Sequence, residues 1–201
     1  MDLVGRINGA LRKVPTWPFY ILCALPPFWF LFQGLSGALG VDPVKVMEHR
    51  LGELALQFLV AGLAISPMRR YLGLNLLKFR RLVGLAAFFY VCAHLLVWLV
   101  LDVQIPSQIW ADILKRPYIT VGMAAFALLI PLAVTSNMWS IRRMGAKWRQ
   151  LHWLVYPAVL LGALHFVMLV KGFQIEPLLY MGTILVLLVL RYRPSRRRQM
   201  A

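Results

Sequence analysis

The chain has 201 residues, 61% of them hydrophobic and only 14% charged, with a mean hydropathy of +0.71. A soluble domain is about half apolar and a quarter charged, so this much apolar surface excludes a single water-soluble core. The net charge of +15 would suggest nucleic acid in a soluble protein, but the basic residues stand in short loops between apolar runs, where they set topology and meet anionic lipid.

Crossing a bilayer takes about twenty apolar residues, and six segments meet or approach that. The first, about 17–32, has a basic start (Arg6, Arg12, Lys13) and ends before Ser36-Gly37-Ala38. That layout resembles a signal peptide, but the segment is read as an uncleaved helix, kinked by Pro26 and Pro27. The second, 51–65, is short. The third covers 82–101, the fourth 118–134, the fifth 151–170 and the sixth 178–190. The fold class expected is all-α and integral to the membrane: one bundle of about six transmembrane helices forming a single domain over 1–201. No extramembrane stretch is long enough to fold alone, and no internal repeat appears.

Lysine and arginine distribute unevenly. One side carries three before the first segment, five after the second (Arg69, Arg70, Lys78, Arg80, Arg81), four after the fourth (Arg142, Arg143, Lys147, Arg149) and five in the tail (Arg191, Arg193, Arg196, Arg197, Arg198). The other side has only Lys45, Arg50, Lys115, Arg116 and Lys171, and six of the seven acidic residues. The positive-inside rule therefore places both termini in the cytoplasm.

Cys23 and Cys92 both fall in apolar runs, outside any CxxC or CxxCH motif. This argues against a zinc site, a thioredoxin-like pair and covalently attached haem. The four histidines are His49, His94, His152 and His165. An ionisable side chain inside a membrane is costly and marks function, although a single one can equally be a neutral imidazole bonded to a nearby carbonyl. Depth brings two of them together. His94 lies about 18 Å along the third segment from its cytoplasmic start, and His165 about 21 Å along the fifth. Two imidazoles from parallel helices at matching depth suit the two axial positions of haem iron.

His152 lies thirteen residues before His165, about 20 Å of helical rise, enough to stack a second haem toward the cytoplasm. Thirteen residues leave the two histidines on different faces unless Pro157 changes the phase. The matching position on the third segment falls near Arg80 or Arg81, which do not ligate iron as histidine does. An inner haem on His152 would thus lack its second ligand or take it from elsewhere. His49 reads as a solvated residue at the outer mouth. Arg80, Arg81 and Arg149 could hold haem propionates or a flavin phosphate, though topology alone explains them. The tryptophans read as an aromatic belt and the methionines as packing. No Gly-rich phosphate loop, Ser-His-Asp pattern or intramembrane carboxylate pair is present.

At these residues the sequence resembles the MsrQ family, the haem-binding membrane subunits of the bacterial periplasmic methionine sulfoxide reductase system, within the ferric-reductase-like transmembrane group. The stretches that carry the resemblance are Asp42-Pro43-Val44-Lys45 with Glu48-His49, Arg80-Arg81-Leu82-Val83-Gly84-Leu85 leading to His94, Lys115-Arg116-Pro117-Tyr118, and Trp148-Arg149-Gln150-Leu151-His152 continuing to His165. The resemblance implies an inner-membrane electron conduit with haem b, one or two, on His94, His165 and His152, and it admits flavin mononucleotide (FMN). It implies electrons drawn from the quinone pool or a cytoplasmic flavin reductase. It also implies their delivery to a periplasmic molybdopterin methionine sulfoxide reductase that repairs oxidised envelope proteins, with the sulfoxide chemistry in that partner. Three other readings fit the residues alone: a transmembrane b-type cytochrome with another partner, a transporter whose histidines relay protons or bind substrate without haem, and a structural scaffold without cofactor. Transporters of that kind show repeats and broken midplane helices.

Overall fold

A computed structural model describes residues 3–170 and 172–192. Lys171 and the basic tail from Arg193, both used in the charge reading above, lie outside the described residues. Among the described residues there is no strand. Ten α-helices follow one another: α1 Leu3–Lys13, α2 Trp17–Leu35, α3 Pro43–Tyr71, α4 Arg80–Val97, α5 Pro106–Lys115, α6 Pro117–Val134, α7 Met138–Met144, α8 Ala146–Leu151, α9 Val155–Leu169 and α10 Ile175–Arg191. A 3₁₀ turn at Leu77–Phe79 leads into α4, a π-helical turn at Trp98–Val103 extends it, and a 3₁₀ turn at His152–Leu154 joins α8 to α9.

Five of these units are long and apolar enough to cross a membrane: Trp17–Leu35, Pro43–Tyr71, Leu77–Val103, Pro117–Val134 and Ala146–Leu169. The sixth expected segment is α10, whose 17 residues rise about 26 Å, a little under the hydrocarbon thickness. The count of about six is therefore close.

The boundaries move where polar residues continue a helix. The second segment was expected over 51–65, yet α3 spans 29 residues. Its start is set by Asp42, whose side chain accepts from the Lys45 backbone N–H at 3.2 Å, and by Pro43 in the first turn; both are N-terminal signals. Its end carries Arg69 and Arg70, which suit the negative pole of the helix. Hydropathy counts such residues as loop, but the backbone does not. α2 runs through Pro26 and Pro27 without a break in its helical assignment. α1, α5 and α7 are absent from the sequence expectation because they are short and carry polar residues that break any apolar run.

Contacts between distant residues fix which helix ends lie together. Asn8 of α1 donates to the Gly73 carbonyl at 2.9 Å and accepts from the Asn75 N–H at 2.8 Å. Lys78 donates to the carbonyls of Arg12 and Val14. Arg191 at the end of α10 donates to Ser66 Oγ at 3.2 Å. One end of the bundle thus gathers α1, the end of α3, the start of α4 and the end of α10. The start of α3, the end of α4, the start of α6 and the end of α9 meet at the opposite end.

The core lies among α3, α4, α6, α9 and α10. Leu56, Leu59 and Leu63 of α3 pack with Ala87 of α4, Leu129 and Leu132 of α6, Ala158, Val159 and Ala163 of α9, and Ile184 of α10. Ala87, Ala158 and Ala163 are fully buried; small side chains let membrane helices approach closely where no hydrophobic effect drives them together. α2 buries no residue and sits on the outside of α3 and α4. Large apolar side chains such as Trp17, Phe28, Leu35 and Trp153 remain more than half exposed, an outer surface suited to lipid.

Candidate functional site

α3 and α4 pack along their length, and so do α6 and α9. Each pair brings a histidine on one helix against the backbone of the other. His94 Nδ1 lies 2.9 Å from the Glu48 carbonyl oxygen of α3, and His165 Nδ1 lies 2.7 Å from the Tyr118 carbonyl oxygen of α6. A carbonyl oxygen only accepts, so each Nδ1 carries the proton and donates, and each Nε2 keeps its lone pair. This bond orients a metal-ligating imidazole and raises its basicity. The two ring centroids lie 6.3 Å apart, with the ring planes at 75°.

Two glycines make room for the rings. A Cβ at Gly52 would stand 3.2 Å from His94 Nδ1, and one at Gly122 would stand 2.8 Å from His165 Nδ1. The imidazoles therefore rest on helix backbones with no side chain between. Both rings border a cavity of about 1050 Å³ whose deep walls are apolar, with Leu56, Val91, Phe126, Leu129 and Phe166 among them. That volume lies just above the usual range for cofactor sites, about 300–1,000 Å³.

These residues fit the haem that the resemblance implies. Two imidazoles on opposite sides of one metal, with bonds of about 2 Å and centroids about 1 Å behind the ligating nitrogens, stand about 6 Å apart. The donor set is two neutral nitrogens, and the glycine cradle leaves room for both rings. Lys45, Lys115 and Arg116 line the cavity together with the carboxylates of Asp42, Glu48, Glu53, Asp102 and Asp112, and the three cations are the groups that would hold propionates. Arg116 donates to Tyr118 Oη at 3.3 Å and pairs with Asp112 at 3.2 Å. The bond to the Tyr118 hydroxyl and the nearby carboxylates hold its guanidinium above its ordinary value. Arg80, Arg81 and Arg149 do not line this cavity.

His152 stands apart from the pair and does not border the cavity. Its Nδ1 lies 3.0 Å from the Trp148 carbonyl, the Trp148 ring stacks on it at 3.8 Å, and its Nε2 is buried with no partner. It shares with His94 and His165 a protonated Nδ1 tied to backbone and an uncommitted Nε2. Between His152 and His165 the helix is not uniform: Pro157 has no N–H to offer the Trp153 carbonyl, and the chain tightens into a 3₁₀ turn at His152–Leu154, while His152 stays outside the cavity that His165 borders. His49 is exposed at the cavity mouth, in line with the reading of a solvated histidine. Among the described residues, no group of three or more His, Cys, Asp or Glu side chains could hold a metal ion. Cys23 and Cys92 are free.

Sequence reasoning missed several parts of the site. Gly52 and Gly122 carried a usable signal, since glycine inside an apolar helix marks close approach of another group. The carbonyls of Glu48 and Tyr118 carried none, because any residue supplies a carbonyl. The π-helical turn brings Trp98, Asp102 and Val103 to the cavity, and no residue pattern announced it.

The comparisons agree with this architecture. The family described as "Ferric reductase like transmembrane component" matches residues 50–163, which take in His94 and His152 and end just before His165. A protein-methionine-sulfoxide reductase heme-binding subunit MsrQ from Agrobacterium fabrum is 49% identical over 186 residues, covering 92% of this chain and 86% of that one. Its counterpart from Rhizobium meliloti is 50% identical over 200 residues, covering 98% and 91%. That from Brucella anthropi is 46% identical over 183 residues, covering 90% and 83%. No solved structure matches the chain. The apolar helices together with these relatives make this a multi-pass membrane protein, consistent with a bacterial inner membrane. At that identity and coverage, the chain belongs to the MsrQ family of the ferric-reductase-like transmembrane group.

Proposed function

We propose that this chain is a haem b electron conduit of the inner membrane. His94 and His165 would hold its iron, and the methionine sulfoxide chemistry takes place in a separate periplasmic molybdopterin reductase. The observation that carries the reading is the imidazole pair: rings 6.3 Å apart, each with Nδ1–H anchored on a backbone carbonyl. When bound, the haem supplies a reversible one-electron couple. The protein sets its potential through the two ligands, their backbone bonds and the apolar walls. Electrons arrive from the quinone pool or a cytoplasmic flavin reductase and leave toward the periplasmic partner, which repairs oxidised envelope proteins. Both termini face the cytoplasm and the whole chain acts as one domain. The relatives' names, which describe heme-binding subunits of a protein-methionine-sulfoxide reductase, support the cofactor and the partner.

A second haem on His152 is favoured by one observation, its buried and unpartnered Nε2. FMN has support from the family resemblance alone. Replacing His94 or His165 by alanine is expected to abolish the haem of this pair and electron delivery to the periplasmic reductase. Wild-type haem content and reduction kinetics in both variants would sink the reading.

A further inference from the structure

At the end of the bundle opposite the histidine pair, one arginine is set in among the helices. Arg191 shares a face of α10 with Ile184, seven residues earlier, which is fully buried. Pro67 lies inside α3 and has no N–H to offer the Leu63 carbonyl. Arg191 Nη1 donates to that carbonyl at 3.4 Å, and Nη2 donates to Ser66 Oγ at 3.2 Å. The guanidinium carbon also sits 5.3 Å from the centre of the Tyr156 ring of α9. The half-buried side chain is thus fixed by α3 and α9, yet every group that holds it is neutral.

Its charge is unanswered. Among the described residues the ion pairs are Lys45–Asp42 and Arg116–Asp112, both at the other end. Glu53, the last carboxylate along α3, lies ten residues before Leu63, about 15 Å of rise. A charge that does act on Arg191 is that of Arg80, at the start of α4. Arg80 is exposed, with no hydrogen-bond or ion-pair partner among the described residues. Two cations near each other, one of them half-buried, are costly without an anion. The same end also offers a track for hydrocarbon: Leu185, Val189 and Tyr192 are exposed at helical spacing along α10. A ligand suited to it carries anionic oxygens for two guanidinium groups and an apolar body for that stripe. Phosphate oxygens match the planar fork of arginine. We propose that Arg191 and Arg80 bind the phosphodiester headgroup of an anionic glycerophospholipid, with an acyl chain along Leu185 and Val189. Cardiolipin is the fullest match, because its two phosphodiesters answer two guanidinium charges. The site is separate from the histidine pair and lies at the end that the proposed topology places in the cytoplasm.

The test uses the full chain, purified in mild detergent and washed free of lipid. Cardiolipin is titrated back and bound copies are counted by native mass spectrometry, with phosphatidylcholine and inorganic phosphate as comparison ligands. The wild type is expected to hold cardiolipin in preference to phosphatidylcholine, and excess inorganic phosphate should not displace it. Arg80→Gln should weaken cardiolipin binding about 5-fold, the weight of one basic side chain near a lipid surface. Arg191→Gln should weaken it more, because a half-buried charge is less screened. Arg142→Gln, on α7, should bind as the wild type does. Unchanged affinity in Arg80→Gln and Arg191→Gln would overturn the site. So would an equal loss in Arg142→Gln, which would mark general attraction to a basic surface. Displacement by inorganic phosphate would assign the arginines to a soluble phosphate and overturn the lipid. The haem-to-protein ratio is measured on every variant: haem lost from Arg191→Gln with cardiolipin affinity intact would assign the guanidinium to a propionate and end the proposal. Should Arg191→Gln fail to fold, Arg80→Gln, at an exposed position, decides alone.

Discussion

At the level of single residues, the two glycines beneath the imidazoles decide whether the histidines can serve. A Cβ at residue 122 would stand 2.8 Å from the His165 ring, closer than side chains tolerate, and one at residue 52 would stand 3.2 Å from the His94 ring. Gly122→Ala should displace His165 from the Tyr118 carbonyl and weaken haem binding about 10- to 100-fold, the usual cost of disturbing a ligand's supporting bond. Gly52→Ala should do less. Gly182, which a Cβ would leave free of any contact, should accept alanine with haem content unchanged. Haem-to-protein ratios of the three variants check the order. His94 and His165 were legible in the sequence because depth along a helix follows from residue count. Their bonding partners were not, because a backbone carbonyl has no sequence signature.

Among the elements, the helices that cross the bilayer were legible from apolar runs, whereas α1, α5 and α7 and the true reach of α3 were not. Hydropathy reads the side chains, while a helix continues as long as its backbone bonds and caps allow, as Asp42 and Pro43 show at the start of α3. The 3₁₀ turn ahead of Pro157 is a similar case. It changes the phase of His152 against His165 in a way that a uniform 3.6-residue repeat misses. If His152 holds a second haem, His152→Ala should lower the haem-to-protein ratio while leaving the haem of the His94–His165 pair. Pro157→Ala, which lets α-helical bonding extend through the turn, should produce the same loss. Full haem content in the His152 variant would assign its buried Nε2 to some other role.

For the molecule as a whole, composition and charge carried the membrane reading, and the packing of α3 with α4 and of α6 with α9 carried the site. The described contacts gather α1, the end of α3 and the end of α10 at one end of the bundle, and the proposed topology places that end in the cytoplasm. With Cys23 and Cys92 first replaced by alanine, Val41→Cys between α2 and α3 should react with a membrane-impermeant maleimide in spheroplasts. Leu72→Cys after α3 should react only once the membrane is opened; the reverse pattern would invert the topology. The central claim is that the His94–His165 pair holds haem b. It is tested most directly by the absorption spectrum of the purified protein before and after dithionite, with a pyridine hemochrome assay. A Soret band that shifts on reduction, with the haem identified as b, is the predicted result. A colourless protein, folded and made in haem-replete cells, would contradict it.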